Sequence, residues 1–406
     1  MRKSMRVALP FVALGFLIFT LAKSGAQDPQ QGKDVPNKDV PGKDAPNSKD
    51  NTPSTAMPKE DRPPNIQWPS QFDALNLEQW MERLDIQKTP DASMRKTAIL
   101  VVPQFGPPAK KAIPMLINLM SDPDDSVKLA ALIACTTHPY EDPDLIKKTV
   151  IKVNGLLKHN DESVRLQAAM ACNRLGPVAK LCIPALCSEY ILKCHTSFEL
   201  RTAGALALGQ VAFDDKLGSD PQAVSALANA LTDKALPVRL ESLTAIMFIG
   251  VPFPAQDKNG LAAQLLLRTL LERTKYEKDD VVKMWVRVCL MRFDRNQINA
   301  ENIHAIAVNL KGGNEHLQVQ AAKALGCMGP VAKSTVSDLL DCLQKAGEKK
   351  TLYTIAMCIF ALGRMGSEAS AAVPEIQKYK DSDNPIIKDQ AIRALDSINA
   401  GKVNKK

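Results

Sequence analysis

Residues 161 to 184 read Asp-Glu-Ser-Val-Arg-Leu-Gln-Ala-Ala-Met-Ala-Cys-Asn-Arg-Leu-Gly-Pro-Val-Ala-Lys-Leu-Cys-Ile-Pro, and degraded versions of this stretch return along most of the chain. A unit repeating roughly every 33 to 45 residues is too small to enclose a core alone, so each copy must bury its apolar face against its neighbours. Aligned on Arg165, the reference column holds Arg95, Lys128, Arg165, Arg201, Arg239, Lys283, Gln318, Ile355 and Lys388, which makes nine copies. Three residues on, the column is mostly small (Ala98, Ala131, Ala168, Gly204, Ser242, Val286, Ala321, Cys358, Ala391). Seven residues on it is apolar, from Val102 and Cys135 to Leu362 and Leu395.

Steps of three and four between these columns place them on one stripe of a helix with 3.6 residues per turn. The small column is expected to mark the close approach of a neighbouring helix. Eleven residues after the reference stand Gly106, Gly176, Gly250, Gly329 and Gly366, with Asn399 in the last copy. Gly or Asn there suits a left-handed helix cap, and Pro107, Pro177 and Pro330 just beyond suit the first turn of a following helix. Pro114, Pro184 and Pro374 are expected to bend the first helix of their repeats. The sixth copy departs most, closing on Asp294, and the connections at 212 to 220 and 250 to 258 are longer than a minimal turn.

These columns resemble HEAT repeats, in particular the HEAT-like type also found in phycobilisome lyases, whose second helix carries an Asp, a Val-Arg pair, alanines and a closing Gly. Asp91, Asp124, Asp161 and Asp279 stand four residues before the reference, with Asn314 and Asn384 in two further copies. The resemblance covers about residues 74 to 400. It implies an all-α, armadillo-like architecture, a right-handed superhelical α-solenoid of about nine HEAT-like helix pairs that presents a long surface to something else. It also implies that the Arg/Lys column pairs with acidic residues near neighbouring helix starts.

Ahead of the repeats, Arg2, Lys3 and Arg6 precede an uncharged, mostly apolar run from Val7 to Ala22, then Ser24-Gly25-Ala26. That order is expected of a secretory signal at 1–26 cleaved after Ala26, with an uncleaved anchor as the alternative. Residues 27–72 repeat Lys-Asp-Val-Pro and kindred tetrads and are expected to be a disordered Pro/Lys/Asp-rich linker, since alternating charge with frequent Pro buries no apolar face. The solenoid is expected over 73–401, opened by the apolar stripe Phe72, Leu75, Leu77, Trp80, Met81 and Leu84, with a basic tail at 402–406. The formal charge of +8 falls by the four cations of the leader to +4, and the lysines are scattered, so no nucleic-acid footprint is expected.

Cys135, Cys172, Cys289 and Cys358 occupy columns filled elsewhere by Leu, Ile, Val or Ala, which reads as core substitution rather than a disulfide framework. Equivalent positions in stacked helices lie about 8 to 10 Å apart, beyond the reach of a disulfide. Cys182, Cys187, Cys194 and His195, with His138 or His159, are the one metal candidate, but no Cys-x-x-Cys pair exists and Cys182 and Cys187 point to different sides of a helix. No metal or other cofactor is expected. The chain has no glycine-rich phosphate loop, no His-Glu-x-x-His and no nucleophile elbow, so no enzyme activity is expected either.

What remains is the face opposite the buried stripe, at two, five and nine residues after the reference. It is expected to be polar in most copies, as at Gln390, Arg393 and Ser397. Three copies depart: Gln167, Met170 and Arg174; Trp285, Val288 and Arg292; Met357, Phe360 and Arg364. Aromatic, Met and Arg side chains together are the types that anchor protein interfaces. The sequence therefore points to an exported, non-enzymatic scaffold that binds a protein or peptide along this ridge. A bilin-lyase-like or other small-molecule-handling protein and an anchored envelope protein are the alternatives.

Overall fold

The computed structural model describes residues 68–137, 142–193, 197–214, 218–252 and 257–403. The expected signal at 1–26, nearly all of the 27–72 linker, the last residues of the tail, and Cys194, His195 and His138 lie outside them. The folded unit runs Pro69–Lys406. Its helices come in pairs: α1 (Leu77–Glu82) and α2 (Ala92–Val101), α3 (Ile113–Leu119) and α4 (Asp125–Thr137), α5 (Pro143–Leu156) and α6 (Glu162–Leu175). Next are α7 (Ile183–Ala185), which continues as one π-helical turn Leu186–Ile191, and α8 (Phe198–Val211), then α9 (Pro221–Ala230) and α10 (Leu236–Ile249). The series ends with α11 (Leu261–Tyr276) and α12 (Asp280–Phe293), α13 (Ala300–Ala307) and α14 (Glu315–Met328), α15 (Val336–Lys349) and α16 (Leu352–Met365), and α17 (Val373–Gln377) and α18 (Pro385–Val403). Each even-numbered helix is the second helix of its repeat and packs on the even-numbered helices before and after it. The result is an all-α solenoid of HEAT-like pairs.

The acidic column four residues before the reference has a local cause. Asp91, Asp124, Asp161, Asp279, Asn314 and Asn384 each accept a hydrogen bond from a first-turn backbone N–H of their helix, and Ser197 does the same for α8. These side chains satisfy donors that a helix start leaves orphaned. Below them the stripe closes into a dry interior, with Ala98, Ala131, Ala168, Ala321 and Ala391 fully buried. The apolar interior has two parts, and α12 belongs to both: Val282, Val286, Cys289 and Leu290 face one part, Met284, Val288 and Met291 the other.

Helix ends differ from expectation in three ways. The closing glycines have φ between 60° and 78° but ψ between −135° and −158°, which is not the left-handed helical well. That region belongs to glycine alone, so Asn is no substitute, and Asn399 indeed sits inside α18 rather than capping it. The sixth copy stops differently, with Asp294 extended at φ −124° and its carboxylate accepting from the Asn296 N–H. Thirdly, Pro114, Pro184 and Pro374 do not kink their helices. They stand in the first turn of α3, α7 and α17, where no N–H is needed. The break falls earlier, at Ala179, Ala332 and Ala369, inside the 3₁₀ segments that precede the α-helices. The repeat with Ser337 in the proline column breaks at Ala332 all the same, so proline is not the cause.

Two close approaches hold the pairs together. The small column three after the reference faces its own first helix: a Cβ on Gly204 would lie 2.6 Å from the Tyr190 Cβ. Successive second helices approach elsewhere, eight residues after the reference, where Gly209, Gly326 and Gly363 meet Ala245, Ala361 and Ala394 of the next repeat. The two long connections also turn out to belong together. Phe213–Asp214 and Gly218–Ser219 form a two-residue ladder, Gly218 bridges to Pro252, and the buried Ser219 hydroxyl donates to the Ile249 carbonyl.

Candidate interaction ridge

The reference arginines are structural. Arg95 donates from Nε and Nη2 to the two Asp122 oxygens at 2.8 Å each, and from Nη1 to the Thr89 and Pro90 carbonyls. Arg201 binds Asp233 in the same fork, at 2.6 and 2.9 Å, and Arg239 binds Glu277 at 3.1 Å through both nitrogens. Arg239 and Arg165 likewise hold the carbonyls of the turn before their own helix. Arg95 and Arg239 thus tie their own helix-to-helix turn to that of the next repeat, while Arg165 pairs with Glu162 of its own helix. The acids stand near the neighbouring helix starts, as expected: each lies in the turn, three residues before the first residue of the next second helix and six before its reference residue. That column carries an acid only in three of the nine copies, Asp122, Asp233 and Glu277, so it does not stand out in the sequence. Burial alone raises the Asp233 and Glu277 carboxyls, but hydrogen bonds from Arg201 and from Arg273 and Arg239 outweigh it and hold both below their usual range.

With this column assigned to stability, the face left for recognition is the ridge of the even-numbered helices. Arg174, Arg292 and Arg364 are exposed there, while Gln167, Met170, Trp285, Met357 and Phe360 are half-buried. Val288 is different: at 3 % exposure it is a core residue, because α12 serves both parts of the interior. Two of the half-buried side chains reach an adjacent second helix, Trp285 the one after its own and Phe360 the one before. Trp285 Nε1 donates to Gln320 Oε1 at 3.2 Å, the Lys323 ammonium lies 5.6 Å from the Trp285 ring centre, and the Phe360 ring lies against Gly326. Arg174 donates to the Thr136 hydroxyl, and the Ser397 hydroxyl to the Gly363 carbonyl. Trp285 and Phe360 thus belong to one patch across α12, α14 and α16, while Arg174 joins α6 to α4.

The ridge is also more apolar than expected at its N-terminal end. Leu100 and Ile133, five residues after their references, are 58 % and 43 % exposed, and they continue into Met170 and the half-buried Leu206. Phe248 is exposed as well. The offset of five that contains Met170 and Phe360 also contains Leu100, Ile133 and Leu206, and the offset of nine contains Phe248, so the pattern was present in the sequence.

Glu241 is the one carboxylate on the ridge columns. Desolvation pushes it up to about 7 from 4.5, with no cation offsetting it. A raised carboxyl binds a proton in the fold before it does in the unfolded chain, so it destabilises progressively as pH rises from about 4.5 to about 7 and no further beyond. Glu241→Gln is therefore expected to match the parent near pH 4.5 and to exceed it by roughly 1 to 2 kcal/mol at pH 8, allowing for its partial solvent exposure. Urea midpoints at the two pH values check this; a gap that does not grow with pH would contradict it.

The described cysteines are buried except Cys327, which is half-buried. Cys172 hydrogen-bonds Cys182, and Cys342 hydrogen-bonds Cys358, so thiols meet between a first and a second helix although equivalent positions do not. Of the metal candidates within the described residues, His159 accepts from the Asp161 N–H and contacts Lys128, while Cys182 and Cys187 lie in the interior. A shallow, open groove of about 600 Å³ beside Tyr379 is lined by Glu375 and Lys378, which pair with each other. It brings no reactive groups together.

No protein-family profile matches the sequence, and no curated protein matches it. Solved structures do. Kap95 in its complex with Nup1 shares 14 % identity over 80 % of this chain and 47 % of that chain, with a TM-score of 0.51. Kap95p in a complex with RanGDP shares 12 % over 81 % and 46 %, with a TM-score of 0.48, and an engineered protein shares 18 % over 80 % and 88 %, at 0.43. The chain spans about half the length of the two Kap95 chains. Identities this low speak to fold and not to activity. The likeness to Kap95 in its Nup1 complex agrees with the helix pairing in making the chain an all-α, HEAT-like solenoid.

Proposed function

We propose that this protein is an exported, non-enzymatic scaffold that binds a protein or peptide partner along the ridge of its even-numbered helices. The observation that carries the reading is the partly apolar ridge, with exposed Leu100 and Ile133 at its N-terminal end and half-buried Met170, Trp285, Met357 and Phe360 beside exposed arginines along it. Water-exposed apolar area of this kind is unfavourable unless a partner covers it, and aromatic and Arg side chains supply most of the energy of protein interfaces. The likeness to Kap95, a solenoid found in complex with Nup1, supports it. Export rests on the Arg2-to-Ala26 segment, and N-terminal sequencing of the native protein should find Gln27 first.

The test is capture from the native host with the full chain and with Leu100→Glu/Ile133→Glu, two changes at exposed positions that leave the interior alone. A partner retained by the parent and lost by the variant, both equally helical by circular dichroism, is expected. Equal retention by both would place the contact off this ridge.

A further inference from the structure

The C-terminal half of the ridge is cationic and has no carboxylate of its own. Arg292 on α12, Lys323 on α14 and Arg364 on α16 make no ion pair among the described residues, whereas Arg393 beyond them is paired with Asp389. The three are close together: all act on the Cys327 thiol, which burial nevertheless raises. Lys323 is the most constrained. Its ammonium sits against Trp285 with burial lowering its pKa, so a desolvated charge there lacks the acid that would normally accompany it. Glu241, the ridge's single carboxylate, shows no influence of these cations.

We infer that this ridge segment binds an extended acidic peptide, its carboxylates on Arg292, Lys323 and Arg364 and its apolar side chains between Trp285 and Phe360. The inference rests on the scaffold reading above and specifies its partner's chemistry. Spacing agrees with it. Adjacent helices lie about 8 to 10 Å apart, so α12 to α16 is roughly 16 to 20 Å, which an extended chain at about 3.3 Å per residue covers in five or six residues. Successive side chains of an extended chain point to opposite faces, so acidic and apolar residues arranged in pairs put both chemistries on the face that meets the ridge, and an Arg fork takes a carboxylate through two hydrogen bonds.

The probe is a fluorescent twelve-residue peptide, three repeats of Glu-Asp-Leu-Phe, titrated by anisotropy against the full chain. Its comparators are three repeats of Gln-Asn-Leu-Phe and a twelve-residue oligouridine. The acidic peptide is expected to bind at least tenfold tighter than either comparator, and to weaken steadily as salt is raised. Lys323→Gln/Arg364→Gln should lose at least tenfold, while Lys378→Gln on α17, outside the ridge, should lose nothing, with all variants melting alike. Equal binding of the neutral peptide, tighter binding of the oligouridine, or no binding of the acidic peptide would each overturn the inference. The scaffold reading would survive these if host capture still depended on Leu100 and Ile133, and would fall separately if it did not.

Discussion

Asp122→Ala is expected to lower stability by about 3 to 5 kcal/mol, the range for stripping one partner from a buried ion pair. Asp122 and Arg95 are 0 % and 3 % exposed in their side chains, so the orphaned guanidinium would have neither carboxylate nor water. The carboxylate also accepts from the Asp124 N–H at 2.9 Å, so the turn between α3 and α4 loses its anchor too. Because repeats contact only neighbours, the damage should be local: amides of α2 and α4 should exchange faster while those of α16 stay protected. Arg95→Met/Asp122→Leu removes both charges and should recover most of the loss, and Glu82→Ala, which breaks an exposed pair with Lys88, should change little. A loss below about 1 kcal/mol in Asp122→Ala would mean the Arg column does not hold the repeats together.

Gly363→Ala is the second large effect. A Cβ there would lie 2.7 Å from the Ala394 Cβ and 2.8 Å from its Cα, so α16 and α18 must separate to admit one methyl group. Overpacking of this kind costs about 1 to 3 kcal/mol, and separation would also stretch the 2.8 Å hydrogen bond from Ser397 to the Gly363 carbonyl. Gly155→Ala is the matched control, because nothing lies within 4 Å of the added methyl on α5. There the better helix propensity of Ala should raise stability by up to about 1 kcal/mol. Thermal melts of both variants give the comparison, and equal effects of the two would refute the close approach.

The sequence made the helix pairs legible because burial repeats at fixed offsets within each repeat. Asp161, Val164, Ala168, Cys172 and Gly176 all act within one helix, where spacing along the chain is spacing in space. What joins one repeat to the next was harder to read. Arg95 reaches Asp122 across 27 residues, Arg201 reaches Asp233 across 32 and Arg239 reaches Glu277 across 38, so no fixed period exposes the pairs. The glycine stops were read correctly as stops, but their conformation depends on the 3₁₀ turn that follows and is invisible in composition. On the ridge, the Arg residues stand where helical geometry put them. Val288 was misplaced because a single helix wheel cannot show that α12 has interior on two sides.

The central claim, a partner seated on the even-numbered helices, is tested most directly by site-specific photo-crosslinking in the native host. A benzophenone side chain would replace Leu100 on the ridge in one sample and Ile151 on the first helix α5 in another, positions that are 58 % and 52 % exposed. Similar exposure makes the two comparable in everything but the surface they occupy. The account predicts one discrete crosslinked protein from position 100 and none from position 151. The same product from position 151, with none from position 100, would contradict it.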